Sequence, residues 1–193
     1  MLYATVYRLN FKPSGQTELV KLIDTLQKEG VSGHAIPQEN LHVTIAFLGE
    51  CDPDQIPVIE EILQDIPLPA LRLKPSGYDR FLSALVLRFE KDPALMDYQA
   101  QVVKALKKAD LPFDDRPYGP HVTLIRVPRS RQKGDLLKAR AEFHDRFGST
   151  LFRLEPMEIE SCSLFSSTHS EQSHSMHYAS LFTIDPDEKS QNN

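Results

Sequence analysis

The sequence lacks the features that mark secreted and membrane-spanning proteins. Its 193 residues include only two cysteines, Cys51 and Cys162, which are far apart and form no CxxC pair. This count argues against a disulfide framework and favours a reducing compartment. No apolar run approaches the roughly 20 residues that span a bilayer, and Arg8 and Lys12 interrupt the segment where a signal peptide carries its apolar core. We therefore expect a cytoplasmic protein with no membrane partner.

Positive charge is also scarce. The chain has 22 basic and 27 acidic residues, which gives a formal net charge of −5. This balance argues against a protein that holds long nucleic acid through a broadly basic surface, but it allows a small anionic substrate in a local cationic pocket. One basic stretch begins at residue 126 and could steer an RNA end, although a solvated surface is the favoured interpretation. Its members are Arg126, Arg129, Arg131, Lys133, Lys138 and Arg140.

The chain contains two copies of one short sequence pattern. Residues 41–49 read LHVTIAFLG, and residues 120–127 read PHVTLIRV. Each segment places a histidine and a threonine two positions apart in an apolar, β-branched run, which predicts a strand. Because side chains alternate along a strand, each histidine shares a face with its threonine, and the apolar neighbours share the other face. We call His42-Val43-Thr44 the first motif and His121-Val122-Thr123 the second motif.

The rest of the pattern predicts helices and strands around the two motifs. Apolar residues at helical spacing predict helices that open at Pro13, at Pro53 and at Pro93, and another from Asp135 to about Phe147. Further strands are expected at 3–9, 149–155, 158–165 and 176–184. Segments 70–75 and 82–90 are predicted to form an antiparallel hairpin that turns near residues 76–79. Residues 166–175 are predicted to form a polar loop.

These elements predict an α+β fold that is mostly antiparallel. Each motif strand lies between two helices along the chain, which indicates two similar lobes that each contribute one strand to a shared cleft. Residues 1–184 would form a single domain of two lobes. The tail 185–193 lacks apolar periodicity and is expected to be disordered. Nothing in the sequence requires more than a monomer.

Two histidines and two threonines suit phosphodiester chemistry. Imidazole has an unperturbed pKa near neutrality, so a pair can supply one base and one acid together. Phosphodiester cleavage needs both, because the attacking oxygen loses a proton and the leaving oxygen gains one. Threonine hydroxyls on the same face can donate to the phosphoryl oxygens and orient them. One such histidine alone is more often a satisfied polar residue, but two with threonine at the same offset favour catalysis.

With these motifs the sequence resembles the 2H phosphoesterase superfamily, and within it the bacterial and archaeal RNA 2′,3′-cyclic phosphodiesterases, also called 2′-5′ RNA ligases. The likeness includes Glu39-Asn40-Leu41 and Phe47-Leu48-Gly49 around the first motif, and Arg116-Pro117-Tyr118-Gly119-Pro120 and Arg126 around the second. It covers roughly residues 3 to 184. The resemblance implies two antiparallel sheets flanked by helices, with pseudo-two-fold symmetry around a central cleft.

The resemblance also implies the reaction and the roles of the motif residues. The activity would be hydrolysis of a 2′,3′-cyclic phosphate, on an RNA 3′ end or a small nucleotide, to a 2′-phosphate, without a metal or a cofactor. His42 would be the proton donor to the departing 3′ oxygen, and His121 the proton acceptor that activates water. Thr44 and Thr123 would bind the phosphate. Nothing in the residues themselves distinguishes the two histidine roles.

Four further residues are candidates for substrate binding, namely Arg116, Tyr118, Arg126 and Tyr178. Strict alternation puts Arg126 on the face opposite His121, so it reaches a substrate only if the strand twists or bulges; otherwise it is a surface residue in a salt bridge. Arg116 and Tyr118 approach His121 from a proline-rich loop, or simply pack there. Tyr178 matches a common tyrosine of the family's last strand, or is a cross-strand partner. The predicted 166–175 loop lacks the family's glycines, which leaves substrate size open.

Other functions stay open at this point. A member of the same fold could bind an RNA end or nucleotide without turning it over, or could act as a 2′-5′ RNA ligase by reversing the cleavage. A metallohydrolase would use His169, His174 and His177 as ligands. A solvated loop is the favoured interpretation of that cluster, because its serine-rich segment offers only Glu171 as a nearby carboxylate.

Overall fold

The structure is a computed structural model, which describes residues 3–81, 84–126, 145–148, 154–170 and 175–186. The α-helices are α1 (Pro13–Lys28), α2 (Ile56–Gln64) and α3 (Pro93–Lys108). The strands are β1 (Tyr3–Phe11), β2 (His34–Ala35), β3 (His42–Cys51), β4 (Arg72–Leu73), β5 (Pro75–Phe81), β6 (Ala84–Phe89), β7 (His121–Arg126), β8 (Met157–Ser170) and β9 (Ser175–Ile184). Each motif therefore opens a strand.

The strands pair in one antiparallel sheet, in the order β4-β8-β1-β3-β7-β6-β5, with β2 along β7 and β9 along β8. The junction between β3 and β7 is a single residue pair, Val43 with Val122. This pair joins a first half-sheet (β1, β3, β4, β8 and β9) to a second half-sheet (β2, β5, β6 and β7). The family resemblance implied two separate sheets, but the motif strands pair with each other, and one sheet with a narrow junction results.

The helices pack on the sheet face that carries these two valines. The predicted apolar stripe of α1 is buried, with Leu19, Leu22, Ile23 and Leu26 at helical spacing. From α3, Leu95, Tyr98, Val102 and Leu106 are buried. These side chains belong with Val43 and Val122 to one hydrophobic core. Among the described residues, no helix is long and apolar enough to cross a membrane.

Two predicted connections were wrong. Residues 76–79 are not a turn, because they lie inside β5, which pairs with β6 up to Phe81 opposite Ala84. The glycine that suggested the turn, Gly77, instead follows an irregularity of that ladder. The polar segment 166–175 is not a loop in its described part, because β8 continues to Ser170 and pairs with β9, which starts at Ser175. Small hydroxyl side chains are compatible with a strand when both edges find partners.

Three further predicted segments agree with the structure in part. Strands at 158–165 and 176–184 are confirmed within β8 and β9, while the segment 70–75 supplies only the short β4, which pairs with β8. Residues 154–156 are not a strand. The segments 135–144, 149–153 and 187–193 lie outside the described residues, and residues 145–148 are helical, as expected for the end of the predicted fourth helix.

Candidate active site

The pairing of the motif strands decides which face carries the motif side chains. Val43 and Val122 are opposite each other, and both are fully buried in the core. Residues opposite each other in a sheet point to the same face, and their chain neighbours point to the other. Both histidines and both threonines of the motifs therefore lie on the face directed away from the core, where all four are partly exposed. We call this the motif face.

The same register brings the two motifs together across the junction. Continued from the valine pair, it sets His42 beside Thr123 and Thr44 beside His121. The two histidines are then diagonal cross-strand neighbours, a relation that places residues about 7–8 Å apart and their Cβ atoms somewhat closer. The two rings also interact electrostatically, because His121 is one of the groups that lower the pKa of His42. Each histidine thus has the threonine of the other motif as its direct neighbour.

The chain orients both imidazoles in the same way. Nδ1 of His42 lies 2.7 Å from the carbonyl oxygen of Asn40, and Nδ1 of His121 lies 2.8 Å from the carbonyl oxygen of Gly119. In both cases the carbonyl belongs to the residue two positions earlier. A carbonyl oxygen only accepts, so Nδ1 carries the proton and donates it. The neutral rings therefore keep Nε2 as the available acceptor.

A bulge follows the threonine in both motif strands. Along β3, Thr44 pairs with Arg8 but Ala46 pairs with Tyr7, so Ile45 is an extra residue. Along β7, Thr123 pairs with Val86 but Ile125 pairs with Leu85. One inserted residue reverses the alternation of the side chains beyond it. The next side chains on the motif face are therefore Phe47 and Arg126, which occupy equivalent positions and are both exposed.

The bulge in β7 determines on which face of the sheet Arg126 lies. It brings Arg126 round to the motif face, where its positive charge is one of the causes that lower the pKa of His42. Arg126 therefore lies on the side of His42, not of His121. The equivalent register directs Phe47 toward the chain before His121, and its carbonyl oxygen accepts a 2.9 Å hydrogen bond from the N–H of Asp114 there.

The surroundings of His42 are cationic. Arg8 is only 3% exposed, and its Nη1 lies 3.4 Å from Nδ1 of His42. The guanidinium also donates from Nη2 to the carbonyl oxygen of Glu39 at 3.2 Å and lies over the ring of Phe165, with Cζ 3.4 Å from the centroid. Burial, together with the smaller effects of the Arg8, His121 and Arg126 charges, lowers the pKa of His42 to about 4, while the Asn40 hydrogen bond opposes this shift. His42 is therefore neutral at pH 7 in the unliganded protein.

The surroundings of His121 contain a carboxylate as well as a cation. Phe81 meets the imidazole edge-on, with ring centroids 4.7 Å apart. Arg88 lies over the same phenyl ring and forms an ion pair with Asp79 at 2.6 Å. Burial lowers the pKa of His121; the Gly119 carbonyl and Asp79 oppose this, while Arg88 adds to it. Each histidine thus has an arginine stacked on a phenylalanine nearby, but only Arg88 has a recorded carboxylate partner among the described residues.

The structure separates the remaining candidates for substrate binding. Tyr178, on β9, is exposed. Burial lowers the pKa of Arg8 to about 10, and Tyr178 is near enough to oppose this shift, so Tyr178 borders the first motif. Arg116 is exposed and bound to Asp114 through Nε at 2.8 Å. The hydroxyl of Tyr118 is buried without a partner and is influenced by the core residue Cys162. Tyr118 therefore packs on the core side of the sheet.

Sequence reasoning missed several side chains of the motif face. Arg8, Phe47, Phe81 and the Arg88–Asp79 pair come from strands that carry no motif or lie beyond the bulge. One signal was available for Arg8, a cation inside the otherwise apolar strand Tyr3–Leu9, since such a buried charge usually has a functional or ionic partner. The other residues depend on cross-strand register, which the sequence does not display.

The described residues contain no group of three or more His, Cys, Asp or Glu side chains that could hold a metal ion. The side chains of His169, His174 and His177 lie outside the described part, so that cluster is not tested here. The motif face offers imidazole, hydroxyl and guanidinium groups. These groups bind oxyanions and transfer protons.

Known proteins match the chain in sequence over part of its length. It is 31% identical over 114 residues to the RNA 2′,3′-cyclic phosphodiesterase of Thermotoga maritima, which covers 55% of this chain and 60% of that protein. It is 28% identical over 114 residues to the protein of the same name from Methanocaldococcus jannaschii, with 57% and 63% covered. The chain thus spans less than two thirds of the length of these curated relatives.

Solved structures match nearly the whole chain. The crystal structure of E. coli LigT complexed with 3′-AMP has a TM-score of 0.67 at 14% identity and covers 96% of this chain and 98% of that one. A phosphoesterase crystal structure has a TM-score of 0.71 at 15% identity, with 96% and 99% covered. At these identities the likeness establishes the fold alone. The family model of the 2′-5′ RNA ligase superfamily, the 2H phosphoesterases, matches residues 13–161. This span is most of the chain and contains both motifs, and the chain belongs to that superfamily.

Proposed function

We propose that this protein hydrolyses 2′,3′-cyclic phosphate ends of RNA or nucleotides to 2′-phosphates, with His42 and His121 as its acid–base pair. The observation that carries the proposal is the Val43–Val122 pairing. This pairing puts both imidazoles on one face of the sheet, each with Nδ1 held by a carbonyl oxygen. With the motifs related by a pseudo-two-fold axis, their imidazoles and hydroxyls would then contact one phosphate in a cleft between the two half-sheets.

The reaction assigns a task to each motif residue. Thr44 and Thr123 donate hydroxyl hydrogen bonds to the phosphoryl oxygens and hold the phosphate between the rings. One imidazole takes a proton from water through Nε2 as the water oxygen bonds to phosphorus. The bond from phosphorus to the 3′ oxygen breaks, and the other imidazole protonates that oxygen. These steps use only side chains of the chain, so the proposal includes no metal or cofactor.

The order of the two histidine roles follows the family likeness, with His42 as proton donor and His121 as proton acceptor. In the unliganded protein the low pKa of His42 opposes this order, because a donor must be protonated. A bound phosphate supplies a negative charge beside the ring, and an opposite charge favours the protonated imidazole. We therefore propose that substrate binding itself charges His42.

Two residues beyond the bulges support a nucleotide substrate. Arg126 brings a guanidinium to the motif face, and guanidinium groups bind phosphate through charge-assisted hydrogen bonds. Phe47 is 48% exposed, and an exposed aromatic ring beside a phosphate site offers a stacking surface for a base. The names of the sequence relatives, RNA 2′,3′-cyclic phosphodiesterases, point to the same substrate class.

The test is turnover of defined cyclic phosphates with identification of the product. We expect adenosine 2′,3′-cyclic phosphate and a short RNA with a cyclic phosphate end to give 2′-phosphates. The variants His42→Ala and His121→Ala should each lower the rate about 10²–10⁴-fold. The double variant should be little worse than the worse single variant, because the pair acts as a unit. Val58→Ala, at an exposed position on α2 outside the motif face, is the control and should keep full activity.

Several outcomes would overturn the proposal. Full activity in either single variant excludes acid–base catalysis by that pair, and loss of activity in EDTA excludes a metal-free reaction. Binding of the cyclic phosphates without any product would favour a non-catalytic member of the fold. Ligation is tested in the same assay by adding an RNA with a free 5′-hydroxyl and looking for a joined product.

A further inference from the structure

A cavity opens on the motif face beside the first motif, between β1, β8 and β9. Its volume is about 460 Å³, within the range of ligand sites. Its wall includes Arg8, Asn10, Ser161, Ser163, Phe165 and Thr183. All of these residues are described, and none belongs to either motif. The cavity is therefore a neighbour of the catalytic pair and not part of it.

The wall of this cavity holds a buried cation. Arg8 is 3% exposed, its Nε atom is buried without a hydrogen-bond partner, and no ion pair is recorded for it within the described part of the chain. A buried charge is costly unless it is paired. Arg88, its counterpart near the second motif, is neutralised by Asp79 at 2.6 Å. Among the described residues no carboxylate is within ion-pair distance of Arg8, although Glu39 and Glu160 line the same cavity. The anion of a bound ligand could therefore be the partner of this guanidinium.

The rest of the cavity is lined by hydroxyl and amide groups. Asn10 donates from Nδ2 to Oγ of Ser163 at 2.8 Å, and that Oγ lies 2.8 Å from Oγ1 of Thr183. Such a chain of donors and acceptors suits sugar hydroxyls. The exposed Glu39 and Glu160 line the outer part, where carboxylates can accept hydrogen bonds from the amino group of a base. The composition thus fits an anion inside and a nucleoside around it.

The position of Arg8 tells which phosphate this anion is. Its Nη1 lies 3.4 Å from Nδ1 of His42, the ring nitrogen that donates to the Asn40 carbonyl. In the proposed reaction the scissile phosphate lies at Nε2, the other ring nitrogen. An anion bound to Arg8 would then be separate from the scissile phosphate and would suit an adjoining phosphate of the same RNA strand.

We propose that this cavity binds the nucleotide unit that precedes the cyclic phosphate, with Arg8 holding the phosphate that links the two units. The inference rests on the proposed function and makes RNA ends, and not cyclic mononucleotides, the preferred substrates. Arg8 serves substrate binding here, and the hydroxyl-lined wall positions the preceding nucleoside.

Three substrates distinguish the contribution of the phosphate at Arg8 from that of the nucleoside in the cavity. They are adenosine 2′,3′-cyclic phosphate, the same nucleotide with a 5′-phosphate, and the dinucleotide ApA with a terminal 2′,3′-cyclic phosphate. We expect kcat/KM to rise about 10–100-fold from the first to the second, the effect of a charged hydrogen-bonding partner. It should rise again from the second to the third, because the nucleoside then fills the cavity.

Four variants test which residues produce each increase in kcat/KM. Arg8→Gln should abolish the preference for the 5′-phosphate, and Arg8→Lys should keep part of it, because the charge remains while the planar fork is lost. Ser180→Trp places a large side chain at the exposed wall of the cavity and should abolish only the dinucleotide gain. Lys12→Gln removes an exposed positive charge that pairs with Glu158 outside the cavity and should change none of the ratios.

The outcomes separate this inference from the proposed function. Equal kcat/KM for all three substrates in the wild-type protein, or an unchanged 5′-phosphate preference in Arg8→Gln, would overturn the subsite while leaving the hydrolysis intact. If no substrate is turned over, the proposed function fails, and calorimetric binding of adenosine 2′-phosphate with and without a 5′-phosphate still tests Arg8. Should Arg8→Gln not fold, the wild-type ratios and Arg8→Lys decide.

Discussion

The two halves of the motif face share a backbone plan and differ in charge. Both histidines donate from Nδ1 to a carbonyl two residues earlier, and both strands bulge after the threonine. Yet the first motif lies among Arg8 and Arg126, whereas the second lies beside Arg88 and its partner Asp79. Burial lowers the pKa of both imidazoles, and neighbouring strands add different charges: Arg8 and Arg126 lower the pKa of His42 further, while Asp79 opposes the lowering at His121.

The residues beyond the bulges of the two motif strands also differ in chemical character. Equivalent positions beyond the bulges carry Phe47 in one strand and Arg126 in the other. An aromatic ring binds a base by stacking, while a guanidinium binds a phosphate. A site built from two similar strands can thus distinguish the two ends of an asymmetric substrate.

The largest expected difference between the two histidines concerns the leaving group. A 4-nitrophenolate leaves without protonation, so a substrate such as bis(4-nitrophenyl) phosphate needs no general acid. We expect His42→Ala to lose less than about tenfold on it, while His121→Ala still loses about 10²–10⁴-fold. Steady-state rates of both variants on this diester and on a cyclic phosphate measure the contrast. The reverse pattern would exchange the two roles, and equally large losses would contradict a general acid at either position.

A smaller difference in kcat/KM is expected between variants of the two residues beyond the bulges, Arg126 and Phe47. Arg126→Gln should lower kcat/KM about 10–100-fold for every base, because a charged contact to phosphate is lost. Phe47→Ala should lower it by about tenfold, and more for purines than for pyrimidines, because stacking depends on ring area. Val58→Ala is the control, since Val58 on α2 is 47% exposed and lies outside the motif face. A base-independent effect of Phe47→Ala would contradict stacking.

The smallest expected effect is on stability, and it tests the acidity of His42 directly. A histidine whose pKa is lower in the folded state, about 4, than in the unfolded chain, about 6.5, holds fewer protons when folded. Its contribution is fully present above pH 6.5 and is lost as the pH falls toward 4. We expect urea unfolding of wild type to lose about 1–3 kcal/mol more than His42→Gln between pH 7 and pH 4.5. Parallel stability curves for wild type and His42→Gln over this pH range would contradict a depressed pKa of His42.

Local sequence periodicity predicted the buried side chains correctly where a single helix or strand buries one of its faces. The stripe from Leu19 to Leu26 and the alternation through the motifs were both readable, since helix and strand periods are intrinsic to the chain. The hairpin turn near Gly77 was not, because a glycine marks an irregular ladder as readily as a turn. The strand character of residues 166–170 also escaped, because serine-rich segments pair only when a neighbouring strand supplies the other edge.

The sequence by itself determined that each histidine shares a face with its threonine, because that relation lies within one strand. Only the tertiary structure decided that the two motifs meet, since the Val43–Val122 pair joins residues from distant parts of the chain. It also decided the turn of Arg126 onto the motif face and the position of Arg8 behind His42. Both depend on the register between strands, and register is set by the packing of the whole sheet.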